Sequence, residues 1–290
     1  MAGSPAHRWG QIIGKVLEAA VLPILTEFAG KHHLYLDRHG ARPARQGKKC
    51  RWFDGNGNSH DLDYVLERGG SPEKIGTPVA FLEAAWRRYT KHSRNKAQEI
   101  QGAILPLAET YRNSAPFKGA ILAGVFTNGA LSQMRSLGFT LLYFPYKMIV
   151  STFAEFGIDA SFEEDTPDRE FQKKVDRFKT LPGKKQSELA ARLMKKNARR
   201  VDEFIRELTR SVSMRIERIV VLPLHGSAEQ FPGIEFAIHF IQSYNANDGV
   251  KPIQRYEIQI HYSNEDVIEG RFADKETALK FLEGYRLRGQ

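Results

Sequence analysis

The chain has 290 residues, of which 41% are hydrophobic and 27% charged, an ordinary globular composition. Its formal net charge of +9 favours an acidic partner, nucleic acid first, although a basic surface that serves only solubility is the alternative. The single cysteine, Cys50, excludes an intramolecular disulfide and a thiolate metal cluster. No stretch approaches the roughly 20 apolar residues of a membrane span, so we expect a cytoplasmic protein that makes no membrane contact.

The first part of the chain predicts a helix followed by three strands. Apolar side chains recur at helical spacing over residues 8–31, where Pro23 is expected to bend or shorten the helix. A strand over 49–53 ends at two hairpin-turn dipeptides, Asp-Gly and Asn-Gly. Further strands are predicted at 62–67 and 78–86, and the three strands are expected to pair as an antiparallel meander.

A second helix is predicted over residues 93–111, and strand–helix units follow it. Near-continuous apolar strands at 118–127 and 139–146 flank a short helix that Asn128 is expected to cap. Apolar strands with helices between them indicate parallel pairing. The sequence therefore predicts an α/β/α core with a mixed five-stranded sheet over residues 1–157.

The remainder of the chain predicts two further regions. Residues 158–212 form a charged segment of two helices, whose cations either face solvent or follow a DNA backbone. Residues 213–290 predict a small α+β module for DNA recognition or dimerisation. Its strands are predicted at 216–224, 234–242, 255–262 and 267–271, with an exposed turn at 245–249 and a helix that Asp274 opens.

Acidic side chains lie on two neighbouring predicted strands. Asp61 and Asp63 share one face of their strand because side chains alternate, and Glu83 lies on the next strand. If these strands are adjacent, Asp63 and Glu83 meet across the sheet. Two carboxylates a few ångströms apart repel each other, and a bound cation relieves the repulsion. Oxygen ligands suit Mg²⁺, with Mn²⁺ as a substitute, and a metal here indicates phosphodiester hydrolysis.

This arrangement resembles the PD-(D/E)XK nuclease superfamily, whose members share the restriction-endonuclease-like fold, over roughly residues 8–157. The resemblance implies that Asp63, with Asp61 as the alternative, and Glu83 are catalytic metal ligands. It also implies that the main-chain carbonyl of Ala84 is a third metal ligand.

Ala85 stands at the position where the resemblance implies a lysine. Lys96, on the sheet-facing stripe of the following helix, is our preferred substitute for positioning or activating the attacking water. Arg87 lies on the same strand face, but its permanent charge suits transition-state stabilisation rather than a base. The resemblance also allows a catalytic acidic residue on the helix, which Glu99 would supply.

Other residues complete the expected site. Glu18 matches a glutamate that family members often carry in the first helix, although pairing with a neighbouring cation is the alternative. Gln98 and Gln101 resemble the helix glutamines of other branches. Cations just beyond the second catalytic strand are expected to contact DNA phosphates or bases. They are Arg87, Arg88, Lys91, His92 and Arg94.

A basic loop precedes the expected site at residues 38–49. Its glycines and proline indicate a loop rather than a helix or strand. A solvated run of charge and a loop that contacts phosphate are both consistent with it. Its cations are Arg38, Arg42, Arg45, Lys48 and Lys49.

These features favour a Mg²⁺-dependent endonuclease of double-stranded DNA, resembling a type II restriction enzyme that acts as a homodimer. No P-loop motif is present, so no nucleotide cofactor is expected. One alternative is a repair or recombination nuclease that reads DNA structure. Another is a non-catalytic DNA-binding protein on a degraded nuclease fold, an idea that Ala85 supports.

Overall fold

The computed structural model of the chain describes residues 4–213, 215–224, 226–244, 255–263 and 267–286, so the turn expected at 245–249 lies outside the described residues. Contacts divide the chain into two units. One comprises Met1–Thr110 and Pro116–Leu208, and the other comprises Tyr111–Ala115 and Thr209–Gln290. The charged segment expected at 158–212 belongs to the first unit as far as Leu208.

The first unit contains both helices and strands around a mixed sheet, which confirms the predicted α/β class. In chain order they are α1 (Pro5–Lys31), β1 (Leu34–Arg38), β2 (Cys50–Phe53), β3 (Ser59–Leu62), β4 (Tyr64–Arg68), β5 (Thr77–Arg87), α2 (Thr90–Thr110), β6 (Phe117–Gly124), α3 (Asn128–Ser136), β7 (Phe139–Pro145), α4 (Tyr146–Ala154), α5 (Asp168–Lys179), α6 (Gly183–Lys196) and α7 (Ala198–Val212). The charged segment therefore contains three helices instead of the two predicted.

A mixed five-stranded sheet forms the centre of the first unit, in the order β1-β4-β5-β6-β7. β4 pairs antiparallel with both β1 and β5, whereas β5, β6 and β7 run parallel. Side chains of β5 and β6 are buried almost throughout, as expected for parallel strands covered by helices on both faces. The prediction of a mixed five-stranded sheet is confirmed.

The prediction that the strand at 49–53 is the first strand of the meander is wrong. The strand beside β4 is β1, whereas β2 pairs only with β3 as a separate hairpin. The turn at 54–57 brings β3 back against β2 in the register Cys50↔Leu62 to Phe53↔Ser59. β2 therefore pairs with the strand that follows it in sequence rather than with β4. β1 was missed because its five residues follow directly on a long helix and are only partly buried.

Helices pack on the sheet in two groups. α1 contacts α5, α6, β1 and β5, and α4 contacts α6 and β6, whereas α2 contacts α3, β5 and β6. α1 buries Trp9, Ile13 and Leu17 along one face and continues past Pro23 to Lys31, so this proline does not shorten it. Thr127, not Asn128, caps α3, because its hydroxyl accepts a hydrogen bond from the Ala130 amide.

The second unit is built on a four-stranded sheet. Its elements are β8 (Ile216–Pro223), β9 (Glu229–Phe231), α8 (Ile234–Ser243), β10 (Tyr256–Tyr262), β11 (Val267–Phe272) and α9 (Lys275–Glu283), with the strands in the order β11-β10-β8-β9. The strand predicted over 234–242 is wrong. Ile234, Ile238 and Ile241 recur at helical spacing and bury one face of α8. Asp274 caps α9 as expected, accepting a hydrogen bond from the Thr277 amide.

Candidate active site

Asp63 and Glu83 lie beside each other where β4 begins alongside β5. The register pairs Tyr64 with Leu82, which places Asp63 next to the Glu83–Ala84 segment of β5. The Asp63 Oδ2 atom accepts a hydrogen bond of 2.7 Å from the Ala84 amide. Glu83 is only 6% exposed, and Asp63 is partly buried. The predicted meeting of these two carboxylates across neighbouring strands is therefore confirmed.

Neighbouring groups of the protein offset the burial and mutual repulsion of these two carboxylates only in part. Burial raises the pKa of Glu83 to about 7, and the negative charge of Asp63 adds to this rise. Burial also raises the pKa of Asp63, against the opposing effects of the Ala84 amide and the charge of Lys96. The two carboxylates therefore resist being ionised together, which is the condition that a bound divalent cation relieves.

Lys96 reaches back from α2 to the carboxylates, as the helix pattern predicts. Its Nζ atom lies 3.4 Å from Glu83 Oε2 and 3.5 Å from Glu99 Oε2. The Lys96 side chain is 21% exposed, whereas that of Glu99 is 62% exposed. Lys96 therefore belongs to the site directly, and Glu99 touches it only through this lysine. Ala85, the position where a lysine is missing, is itself buried on β5.

Asp61, the alternative to Asp63, lies outside the carboxylate pair. It sits on the β2–β3 hairpin, where its carboxylate contacts Lys49 Nζ at 2.6 Å and Arg51 Nε at 2.8 Å. The chain leaves β3 at Leu62 and enters β4 at Tyr64, so Asp61 lies in the hairpin, whereas Asp63 immediately precedes a strand of the five-stranded sheet. The assumption of one continuous strand through 61–67 was wrong.

Two cations of the basic loop are internal, which contradicts a phosphate-contacting role for them. Arg42 Nη1 lies 2.9 Å from Asp37 Oδ2 and 2.6 Å from Glu67 Oε1, and Arg42 is 4% exposed. Arg45 Nε lies 3.1 Å from Asp37 Oδ2. The Cys50 thiol also donates to Asp37. We call Asp37, Arg42, Arg45 and Glu67 the buried ionic cluster.

The expected DNA contacts fall into two sets. Arg88 is held internally, with its guanidinium 4.0 Å over the Tyr146 ring and hydrogen-bonded to the Phe162 carbonyl. Arg87 is half-buried and donates to the Trp86 carbonyl. The other three expected contacts are exposed on the first turns of α2. They are Lys91, His92 and Arg94.

A pocket of about 510 Å³ opens beside Asp63. Burial, followed by the charge of Asp63, raises the pKa of Glu18, which places this first-helix glutamate in electrostatic reach of the carboxylate pair. Sequence reasoning did not assign the other charged residues to the site, although Lys15 and Glu18 are one helical turn apart. The pocket is lined by Lys15, Glu18, Arg38, His39, Asp63 and Tyr64, with Ala19 and Leu22.

The two helix glutamines differ in environment. Gln98 is exposed. Gln101 is 9% exposed, and among the described residues its side-chain Nε2 atom has no hydrogen-bond partner. Gln101 is therefore a buried amide whose donor is unsatisfied, a costly arrangement in a protein interior.

The carboxylates of Asp63 and Glu83 are the donor set available for a metal. In the described ranges, no group of three or more His, Cys, Asp or Glu side chains is arranged to hold a metal ion. The donor chemistry nevertheless fits Mg²⁺, because Asp63 and Glu83 are hard oxygen ligands whose repulsion the protein leaves partly unrelieved.

Comparison with known proteins does not identify a family. No family model and no curated protein matches the chain. A solved structure of a protein of unknown function, AF1548, is similar at 11% identity with a TM-score of 0.27, and the match covers 63% of this chain and 98% of that one. No helix in the described part of the chain is both long and apolar enough to cross a bilayer.

Proposed function

We propose that the protein is a Mg²⁺-dependent endonuclease that hydrolyses phosphodiester bonds of double-stranded DNA. One observation carries the proposal. Asp63, which immediately precedes β4, and the buried Glu83 on β5 lie side by side, with the Lys96 ammonium 3.4 Å from Glu83. The net charge of +9 supports a polyanionic substrate.

Each site residue has a separate task in this proposal. Asp63 and Glu83 would hold the metal together with the Ala84 carbonyl. When bound, the metal supplies charge neutralisation at the phosphate and lowers the pKa of a water molecule. Lys96 orients the attacking water and presents a positive charge to the phosphate, the part that Ala85 cannot play. The exposed cations Lys91 and Arg94 would hold the DNA backbone next to the site.

The further proposal is a type II restriction enzyme that acts as a homodimer, because one site in each protomer would cut one strand of the duplex. Cys50 as the only cysteine supports a reducing compartment such as the cytoplasm. A second candidate is a non-catalytic DNA-binding protein, which the absence of a lysine at position 85 favours. A structure-specific repair nuclease is the third candidate.

Incubation with plasmid DNA and Mg²⁺ distinguishes these candidates. We expect discrete fragments on a gel, with none in the presence of a chelator. Cleavage only of branched or flapped DNA would replace the restriction assignment with the repair one. DNA binding with no cleavage of either substrate, in Mg²⁺ or in Mn²⁺, would contradict the enzyme assignment.

Melting curves test the metal site without reference to activity. A carboxyl whose folded-state pKa is raised from 4.5 to about 7 stabilises the fold when protonated, so its contribution is lost as pH rises through this interval. The loss is on the order of 3 kcal/mol. We expect metal-free protein to melt lower at about pH 8 than at about pH 5, and Mg²⁺ to restore stability only at the higher pH.

Glu83→Gln and Glu99→Gln are the matched variants for this measurement. Glu83→Gln should lose both the pH-dependent drop and the Mg²⁺ response, because it removes a charge from the buried pair. Glu99→Gln, at an exposed position, should keep both. An equal Mg²⁺ response in wild type and Glu83→Gln would show that the ion binds elsewhere.

A further inference from the structure

The pocket beside Asp63 combines parts of three elements. α1 contributes Lys15 and Glu18 from one face, and the end of β1 contributes Arg38 and His39. β1 pairs with β4 in the register Arg38↔Tyr64, so the residues that follow β1 lie alongside the residue that precedes β4, which is Asp63. The pocket therefore shares Asp63 with the carboxylate pair.

The basic side chains of this pocket are not bound directly to a carboxylate among the described residues, unlike neighbouring cations of the same region. Among the described residues, the side chains of Lys15, Arg38 and His39 form no ion pair or hydrogen bond, and all three are exposed. Arg42 and Lys49 are instead bound to carboxylates at 2.6 Å. The charges of Lys15 and His39 lower the pKa of Glu18, but in the described part of the chain neither side chain forms an ion-pair contact with it. Unpaired cations that line a pocket next to a hydrolytic site are available for an anionic ligand.

We propose that this pocket binds a backbone phosphate of the DNA strand adjacent to the scissile phosphate, through Lys15, Arg38 and His39. The inference rests on the proposed nuclease function and names the groups that hold its substrate. Because the pocket contains two carboxylates beside its cations, it suits a singly charged phosphodiester anchored by the rest of the duplex better than a free multivalent anion. Ala19 and Leu22 provide apolar surface against which a deoxyribose packs.

The salt dependence of DNA binding tests this assignment. Each phosphate neutralised contributes about 0.9 to the slope of log K against log salt concentration. We compare wild type with Lys15→Gln/Arg38→Gln, using a labelled duplex, Ca²⁺ in place of Mg²⁺, and fluorescence anisotropy. We expect the double variant to bind at least about tenfold more weakly near 0.1 M salt, with a slope smaller by about 1 because one phosphate contact is lost.

The matched control removes the same charge from another surface of the first unit. Lys179→Gln/Lys184→Gln replaces two exposed lysines of α5 and α6, and we expect its slope to equal that of the wild type. Melting temperatures of both variants, at exposed positions, should equal that of the wild type and so confirm folding.

The outcomes separate this inference from the nuclease proposal. If wild type cuts DNA and the pocket variant keeps the wild-type slope, the inference is overturned and the nuclease proposal stands. The same holds if the control lowers the slope equally, because then any cation would serve. If wild type neither binds nor cuts DNA, both proposals are overturned together.

Discussion

Glu83→Gln is expected to abolish DNA cleavage while DNA binding remains close to that of the wild type. The carboxylate is 6% exposed, lies beside Asp63 and contacts Lys96, so its replacement removes a negative ligand and disturbs the lysine. A metal-held transition state is stabilised by several kcal/mol, and each 1.4 kcal/mol is about tenfold in rate, so a loss of at least about 100-fold is expected. Single-turnover cleavage of a labelled duplex measures it.

Asp61→Asn is the control for this experiment. Asp61 is an acidic residue only two positions from Asp63, but it is paired with Lys49 and Arg51 on the hairpin. We expect Asp61→Asn to cleave DNA at a rate within about threefold of the wild type, since exposed ion pairs contribute little. Equal rates in Glu83→Gln and wild type would contradict the assignment of the site, and a selective loss in Asp61→Asn would move it to the hairpin.

The carboxylate pair was predictable from the sequence because strand periodicity is local. Alternation placed Asp63 and Glu83 on their strands, and the stripe of α2 turned Lys96 toward them. The same reasoning failed at Asp61, because a strand pattern does not reveal where one sheet ends and another begins. Side chains on one predicted strand can therefore belong to different surfaces.

Pairing between residues distant in sequence explains why the environment of Arg42 was not predicted. Arg42 looked like a loop cation, and only the pairing of β1 with β4 brings Asp37 and Glu67 to it. The sequence around a charged residue does not show that the residue is buried, because the opposite charges that stabilise it in the interior are distant in sequence. In the second unit α8 was predicted as a strand. Its apolar residues also fit a buried strand when their helical spacing is ignored.

Arg42→Met is expected to lower the free energy of unfolding by about 3–5 kcal/mol, the typical cost of breaking a buried ion pair from one side. Asp37 and Glu67 would remain buried without this cation, and of these two carboxylates Arg45 contacts only that of Asp37. Arg42 also donates to the carbonyls of Ser71 and Lys74, so its loss also releases the loop between β4 and β5. The melting temperature should fall by roughly 10 °C or more.

Arg51→Met provides the contrast, because the Arg51–Asp61 pair is on the surface and its loss should leave the melting temperature close to that of the wild type. Adding Glu67→Gln to Arg42→Met should recover part of the lost stability, since it removes one buried negative charge that has lost its cation.

β4 and β5 are the strands that position Asp63 and Glu83, so the Arg42→Met protein should also lose cleavage below its melting temperature as this loop loosens. An Arg42→Met protein as stable as the wild type would contradict the view that Arg42 compensates the charges of these two carboxylates.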